Sequence, residues 1–233
     1  MRRGLFINFI VAVLSAGVGA LSASAATIED VRALYGDGLE FGVYRNGSPV
    51  GEHTVRFEQV DDGLRVLTST ELAVSALFIT VYRFEYESEA LWRDGALASI
   101  TAVTKDGGQV SEIKAESIDG VLTVEGPSGT DDGPVGIYPT NHWNAGVIGS
   151  TRVLDTFTGR IADVTLASKG VEQVSTAHGT LAATRYQYSG AIDNEVWYDA
   201  NGRWVKMQFK GTDGSTIQLR CRSCRAESDT AAR

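Results

Sequence analysis

The chain has 233 residues with 21 basic and 29 acidic side chains, 43% apolar residues, 26 Gly, 4 Pro and 2 Cys. This excludes a collagen, a coiled coil, a disulfide-dense miniprotein and a long acidic tail, and is ordinary for a chain that buries a sizeable core. The acidic excess argues against nucleic acid and anionic membrane surfaces as partners, because both would be repelled.

The first 25 residues read as a secretory signal. Arg2 and Arg3 form a basic start, an uncharged apolar run extends from Leu5 to Leu21, and Ala23-Ser24-Ala25 supplies small residues for cleavage. The run is nearly long enough to span a bilayer, but Gly17, Gly19 and its Ala/Ser-rich end favour cleavage over anchoring. Arg2-Arg3 alone is a weak twin-arginine signal. No cysteine near the cleavage site can carry a lipoprotein anchor. Residues 26–233 are therefore expected to form a single periplasmic β domain with no stable membrane anchor. Removal of 1–25 takes Arg2 and Arg3 away, leaving 19 basic against 29 acidic groups.

Thr27 to Gly36 predicts one short helix. Thr27 is placed to cap it, Glu29 and Asp30 suit the positive end of the helix dipole, and Gly36 is placed to end it. Beyond Gly36 the period changes to two. Seven turn dipeptides divide the chain: Asn46-Gly47, Asp62-Gly63, Asp94-Gly95, Asp106-Gly107, Asp119-Gly120, Asn201-Gly202 and Asp213-Gly214. Such pairs tolerate positive φ and match the twist of antiparallel neighbours, so each predicts a hairpin.

The segments between them alternate. Tyr82, Phe84 and Tyr86 oppose Arg83, Glu85, Glu87 and Glu89; Val205, Met207 and Phe209 oppose Lys206, Gln208 and Lys210; Ile217, Leu219 and Cys221 oppose Gln218, Arg220 and Arg222. Further strands are predicted at 39–45, 53–60, 64–75, 96–105, 109–118, 121–125, 161–167, 181–189 and 195–198. The fold class is all-β: an antiparallel meander of about 10–13 strands, which accumulated twist curls into a barrel or half-barrel. Rows such as Arg83, Glu85, Glu87 and Glu89 cannot face hydrocarbon, which argues against an outer-membrane barrel.

Cys221-Arg222-Ser223-Cys224 is the most chemical-looking feature. It reads as a local disulfide in an oxidising compartment, ahead of a redox dithiol or half a metal site, because it follows a strand and has no second cysteine pair. Residues three apart on an extended strand are too distant to bond, so the chain must turn after Cys221.

Gly126 to Ser150 holds three of the four prolines and reads as one long loop, with a flexible 128–133 followed by Tyr138-Pro139-Thr140-Asn141-His142-Trp143-Asn144. Asn141 is placed to cap a short helix carrying His142 and Trp143. Tyr138, His142 and Trp143 are candidate ligand contacts at a barrel mouth, and the alternative for the same segment is an apolar plug.

His53, His142 and His178 lie in unrelated contexts, and no G-x-S-x-G elbow accompanies them. Glu85, Glu87 and Glu89 read as a solvated face rather than a glycosidase pair, and Asp131-Asp132-Gly133 lacks the remaining ligands of a calcium loop. The sequence assembles no catalytic set, cofactor site or metal site. Trp197-Tyr198 and Arg203-Trp204 face each other as a cross-strand aromatic corner, or as a rim platform for a sugar or lipid tail. Arg220, Arg222 and Arg225 form the one basic cluster and read as a solvated strand end.

Tyr138 to Asn144, the Trp197 to Trp204 hairpin and an Asp-Gly turn into a last strand, behind a signal peptide, together resemble a family of exported bacterial proteins of unassigned function. The curled meander also looks, in architecture only, like the half-barrels of periplasmic lipoprotein carriers, which cradle acyl chains. The resemblance brings no substrate or catalytic residue. The lack of an assembled catalytic set, the one-sided aromatic strands and the one long loop placed to cover an opening point to a soluble periplasmic binding protein, without turnover, for an apolar or amphipathic ligand, such as a lipid, or for an envelope protein. Two alternatives stand beside it. One is an enzyme, either a thiol oxidoreductase using Cys221 and Cys224 or a hydrolase using His142; the other is a structural envelope protein with a filled core.

Overall fold

The computed structural model describes residues 28–76 and 79–225, and the expected signal segment and Thr27 lie outside them. A helix, α1 (Ile28–Tyr35), is followed by β1 (Gly38–Arg45), β2 (Ser48–Val60), β3 (Gly63–Ala76), β4 (Ile79–Arg93), β5 (Ala96–Asp106), β6 (Gln109–Ile118), β7 (Val121–Gly126), β8 (Gly129–Pro134) and the two-residue β9 (Tyr138–Pro139). Then come a 3-10 turn (Ala145–Val147), β10 (Arg152–Asp155), β11 (Arg160–Thr176), β12 (Gly179–Gly190), β13 (Asn194–Asp199), β14 (Trp204–Lys210) and β15 (Thr216–Cys221).

All seven turn dipeptides fall at junctions between consecutive strands, with Gly63 opening β3 and Asp106 closing β5. Asn46, Asp94 and Asp119 adopt positive φ near 50°, each followed by a glycine at positive φ, as the hairpin turns require. At Asp106 the reading shifts by one residue: Gly107 and Gly108 carry the positive φ values, and Asp106 ends β5. Gly36 ends α1 at φ +61, its N–H bonded to the Arg32 carbonyl.

The fifteen strands form one sheet in the order β8-β7-β6-β5-β4-β3-β2-β1-β15-β14-β13-β12-β11-β10-β9. It exceeds the expected 10–13 strands because β8, β9 and β10 lie within or just after the segment read as irregular. β8 is Gly129-Thr130-Asp131-Asp132-Gly133-Pro134, whose composition signals a loop; pairing with β7 from Val121↔Pro134 to Gly126↔Gly129 overrides it. One further departure from the meander is β9, which runs parallel to β10.

The alternation sets the two faces. On β2 to β6 the inward side carries Val55, Phe57, Val66, Tyr86, Ala90, Trp92, Ile100 and Ile113, all buried. The outward side carries Glu85, Glu87 and Glu89, with Lys105 on Glu85 and Arg65 on Glu89. The sheet curls but does not close through a strand ladder. Where its β8 end approaches β11, the Ile161 N–H donates 2.9 Å to the Asp131 carboxylate. Gly126 and Gly159 also come close enough there that a Cβ on Gly126 would lie 3.1 Å from the Gly159 Cα.

Candidate functional site

In the segment from Ile137 to Val147, Ile137, Pro139, Asn141, His142, Trp143 and Val147 are buried within the curl, while Gly146 is exposed. β9 enters beside β10, Thr140 N–H donates 3.0 Å to the Leu154 carbonyl, and the Thr140 hydroxyl accepts 3.2 Å from Thr156 N–H. The chain then turns inward, so that Asn141, His142 and Trp143 are only 3–4% exposed.

Polar groups buried away from water need partners, and hydroxyls from three other elements supply them, two to the backbone and one to a side chain. Tyr198 donates 2.8 Å to the His142 carbonyl. Tyr35, on α1, donates 2.5 Å to the Trp143 carbonyl and accepts 3.1 Å from Trp204 N–H, so one hydroxyl ties helix, plug and β14 together. Tyr86 donates 3.0 Å to the Asn141 side-chain oxygen, and the Asn141 amide donates 3.2 Å to Ser88. Asn141 therefore holds β4 and does not cap a helix. The cap belongs to Asn144, whose side chain accepts 2.9 Å from Gly146 N–H at the 3-10 turn.

Trp143 packs edge-on against Trp92 at 5.2 Å and Phe57 at 5.3 Å, and Tyr138 lies 5.9 Å from Trp92. His142 lies 5.4 Å from Tyr188 and 5.9 Å from Trp204, and the other face of this cluster is His53, 5.4 Å from Trp204 and 5.7 Å from Phe41. The plug thus joins β2 and β4 on one side to β12, β13 and β14 on the other. Tyr138 and Trp143 share Trp92 as a neighbour, while His142 turns to Tyr188 and Trp204 on the other side; His142 and Trp143 are interior and Tyr138 is half-buried.

His142 is the most constrained residue of the site. Its φ is +58, a left-handed conformation that costs of order 1–3 kcal/mol for a residue with a Cβ, held here by bonds on both sides. Its Nδ1 approaches the Tyr188 hydroxyl at 3.5 Å, while its Nε2 is buried without a partner. His53 repeats the pattern, with Nδ1 2.7 Å from the Thr70 hydroxyl and Nε2 unpartnered. Desolvation by burial lowers both rings below the usual histidine range, His53 to about 4 and His142 to about 3, with the neighbouring His53 adding to the effect on His142. Burial likewise raises the Tyr35 and Tyr188 hydroxyls above their usual range, so all four groups are neutral near pH 7.

Cys221 and Cys224 are bonded to each other with Cα atoms 5.6 Å apart, and both are 1% exposed. β15 ends at Cys221 because the chain bends through Arg222 and Ser223, the turn that the spacing demands; Cys224 N–H then faces the Cys221 sulfur at 3.0 Å. Among the described residues no group of three or more His, Cys, Asp and Glu side chains is arranged to hold a metal.

Sequence reasoning missed Tyr35, Tyr198, Tyr86 and His53 as parts of this site. The available signal was the plug's own polar backbone: a long segment carried inside a sheet must find donors on surrounding elements, and tyrosines on apolar faces are the residues that deliver them.

No curated protein matches the chain. A crystal structure of a beta-barrel-like protein of domain of unknown function DUF1849 from Brucella abortus is similar in fold, with a TM-score of 0.54 at 11% identity over 79% of this chain and 95% of that one. Residues 41–222, from inside β1 to just past β15, match DUF6134, a domain of unknown function, and the chain belongs to that family.

Proposed function

We propose that the protein is an exported, non-catalytic binding protein of the periplasm that engages an envelope partner through its outer surface, with its interior filled by its own chain. The observation that carries this reading is the plug: His142 and Trp143 occupy the space where a carrier would cradle an acyl chain, fixed by hydroxyls from α1 and β13. A thiol oxidoreductase needs an accessible thiolate, whereas both sulfurs here are bonded and buried. The Ala23-Ser24-Ala25 sequence and the disulfide support an oxidising destination.

The test is to express the full chain, recover the processed protein from the periplasmic fraction without detergent, and compare native with denaturing mass spectra. The reading expects a chain beginning near residue 26, lighter by two hydrogens at the cysteines, with the same bare mass in both spectra. A reproducible mass lost on denaturation would overturn the filled interior and restore the small-molecule carrier, with Tyr138, His142 and Trp143 as its contacts. A chain retained in the cytoplasm would overturn the export.

A further inference from the structure

The outer face of the sheet carries a line of charge that changes sign in the middle. Ladder pairing sets Lys206 on β14 opposite Arg220 on β15, and Arg220 opposite Gly42 on β1. It then sets Gly42 opposite Glu52 on β2, Glu52 opposite Glu71 on β3, and Glu71 opposite Glu85 on β4. Paired residues of antiparallel strands project to the same side, so two cations and three carboxylates flank one glycine. Like charges directly opposite each other destabilise a sheet, and both halves of this line contain them.

Partners within the chain relieve the two ends and leave the middle. Glu85 is held by Lys105 at 2.9 Å and by Arg83 at 3.6 Å. Lys206 feels Glu172 and Glu195, both also held by Arg185, and its ammonium lies 4.0 Å over the Trp197 ring. Nearer the centre, Glu71 and Arg220 form no ion pair among the described residues. The Arg220 guanidinium lies 4.5 Å over the Tyr44 ring and donates to the Gln218 side-chain oxygen. One bridge crosses the middle, from Arg222 to the exposed Glu52 at 3.8 Å. Gly42 leaves room for it, since a Cβ there would lie 2.8 Å from the Arg222 Nε. The anionic half is also recessed: a groove of about 540 Å³ opens on it, lined by Glu52, Glu71, Glu87 and Glu89 together with Leu67 and Val103, with Arg56 as its one cation.

We propose that this face docks a second copy of the chain, with the two curled sheets side by side about a twofold axis that lies in the interface, runs along β1 and passes over Gly42. That axis reverses the line, so Arg220 of each copy meets Glu52 of the other and Lys206 meets Glu71, with glycine on glycine at the centre. Adjacent strands are about 5 Å apart, so all four pairs lie within about 10 Å of the axis, where a curved face still touches its copy. Each cation needs only the carboxylate across from it, and every like-charge pair within a copy gains opposite charges from the other. A twofold axis running across the strands would instead set like charges face to face, so the line selects the orientation as well as the partner. The contact depends neither on export nor on the filled interior.

The experiment is sedimentation velocity on the processed protein, from low to high micromolar concentration at constant ionic strength. The unaltered chain is expected to pass reversibly from one copy to two. Glu71→Lys and Lys206→Glu should each raise the dissociation constant at least about a hundredfold, because symmetry turns every altered contact repulsive twice. Mixed in equal amounts, the two variants should recover the two-copy species, since each supplies the charge that the other lacks. Glu71→Lys gives a second readout of opposite sign: between Glu52 and Glu85 it relieves two like-charge pairs, so the single copy should melt higher while association is lost. It also lowers the negative charge of a chain at −8, a change that would strengthen association if overall repulsion governed it. If Lys206→Glu does not fold, Glu71→Lys alone carries the test. In a native mass spectrum the contact appears as twice the chain mass, which a small ligand does not produce. The proposal fails if the unaltered chain stays single at every concentration, if Glu71→Lys associates as tightly as the unaltered chain, or if the mixture of two folded variants stays single.

Discussion

Mild acid should destabilise this protein well before its carboxylates begin to protonate. His53 and His142 are neutral and buried, with folded-state values near 4 and 3 against 6.5 for an exposed ring. The unfolded chain therefore binds protons first, and the stability that the neutral rings contribute is present above pH 6.5 and drains away as pH falls through the window below it. At pH 5 each unfolded histidine gains about 2 kcal/mol from protonation that the folded protein does not share, so the pair costs about 4 kcal/mol between pH 8 and 5. The local slope approaches about 2.7 kcal/mol per pH unit, the value for two protons. The groups around the rings, Thr70, Phe41, Tyr188 and Trp204, bear no charge that would offset it. Urea unfolding followed by tryptophan fluorescence at half-unit steps from pH 8 to 5 measures the slope directly. His53→Gln and His142→Gln should each remove about one proton from it, whatever they do to stability at pH 8. A stability that stays flat down to pH 5, or single variants with the slope of the unaltered protein, would refute the reasoning.

Three further outcomes follow from the contacts. Trp143→Ala removes the largest side chain of the plug and should cost about 3–5 kcal/mol, read as a lowered urea midpoint with unchanged far-ultraviolet dichroism in water. Tyr35→Phe leaves the Trp143 carbonyl and the Trp204 N–H without their shared partner and should cost about 2 kcal/mol, visible as a drop in melting temperature at constant m-value. Replacing both Cys221 and Cys224 with serine opens a loop so short that the loss should be only about 2 kcal/mol; a folded variant with a modestly lower melting temperature is expected, and complete unfolding would mean the bond does more than restrain the denatured chain.

Most of the sheet could be read from the chain because its signals are local. Asn46-Gly47 and Asp119-Gly120 state a turn in two residues, the strand limits predicted at 109–118 are those observed, and the alternation of Val205, Met207 and Phe209 falls within β14. The illegible part is one region. In β8, Asp131 pairs with Val124 of the neighbouring β7 and also accepts from Ile161 N–H, a partner thirty residues away that leaves no periodic trace. The parallel β9 is two residues long, too short to alternate. At the candidate site, Tyr138, His142 and Trp143 stood out by their unusual neighbourhood. Their depth depended on Tyr35, Tyr86 and Tyr198, which in sequence are indistinguishable from other aromatics on one-sided strands. Trp197 and Trp204 were legible as a pair but not as opposites: Trp204 faces the histidines, and Trp197 lies on the outer face under Lys206.

The strand order carries a consequence for how the molecule is assembled and how it could be rewired. The first and last strands, β1 and β15, lie side by side in the interior of the sheet, paired from Phe41↔Cys221 to Arg45↔Ile217. A chain emerging from its amino end can zip β1 through β8 as successive local hairpins, but the seam that joins this half to the other must wait until the final strand has been delivered. The slowest productive event should then be a late docking of two preorganised half-sheets, limited by long-range closure rather than by hairpin formation. The same adjacency means that a short linker joining the two ends, with new ends cut at the Asp119-Gly120 turn, would convert that closing contact into a hairpin. Such a permutant should fold faster than the natural order while reaching the same structure.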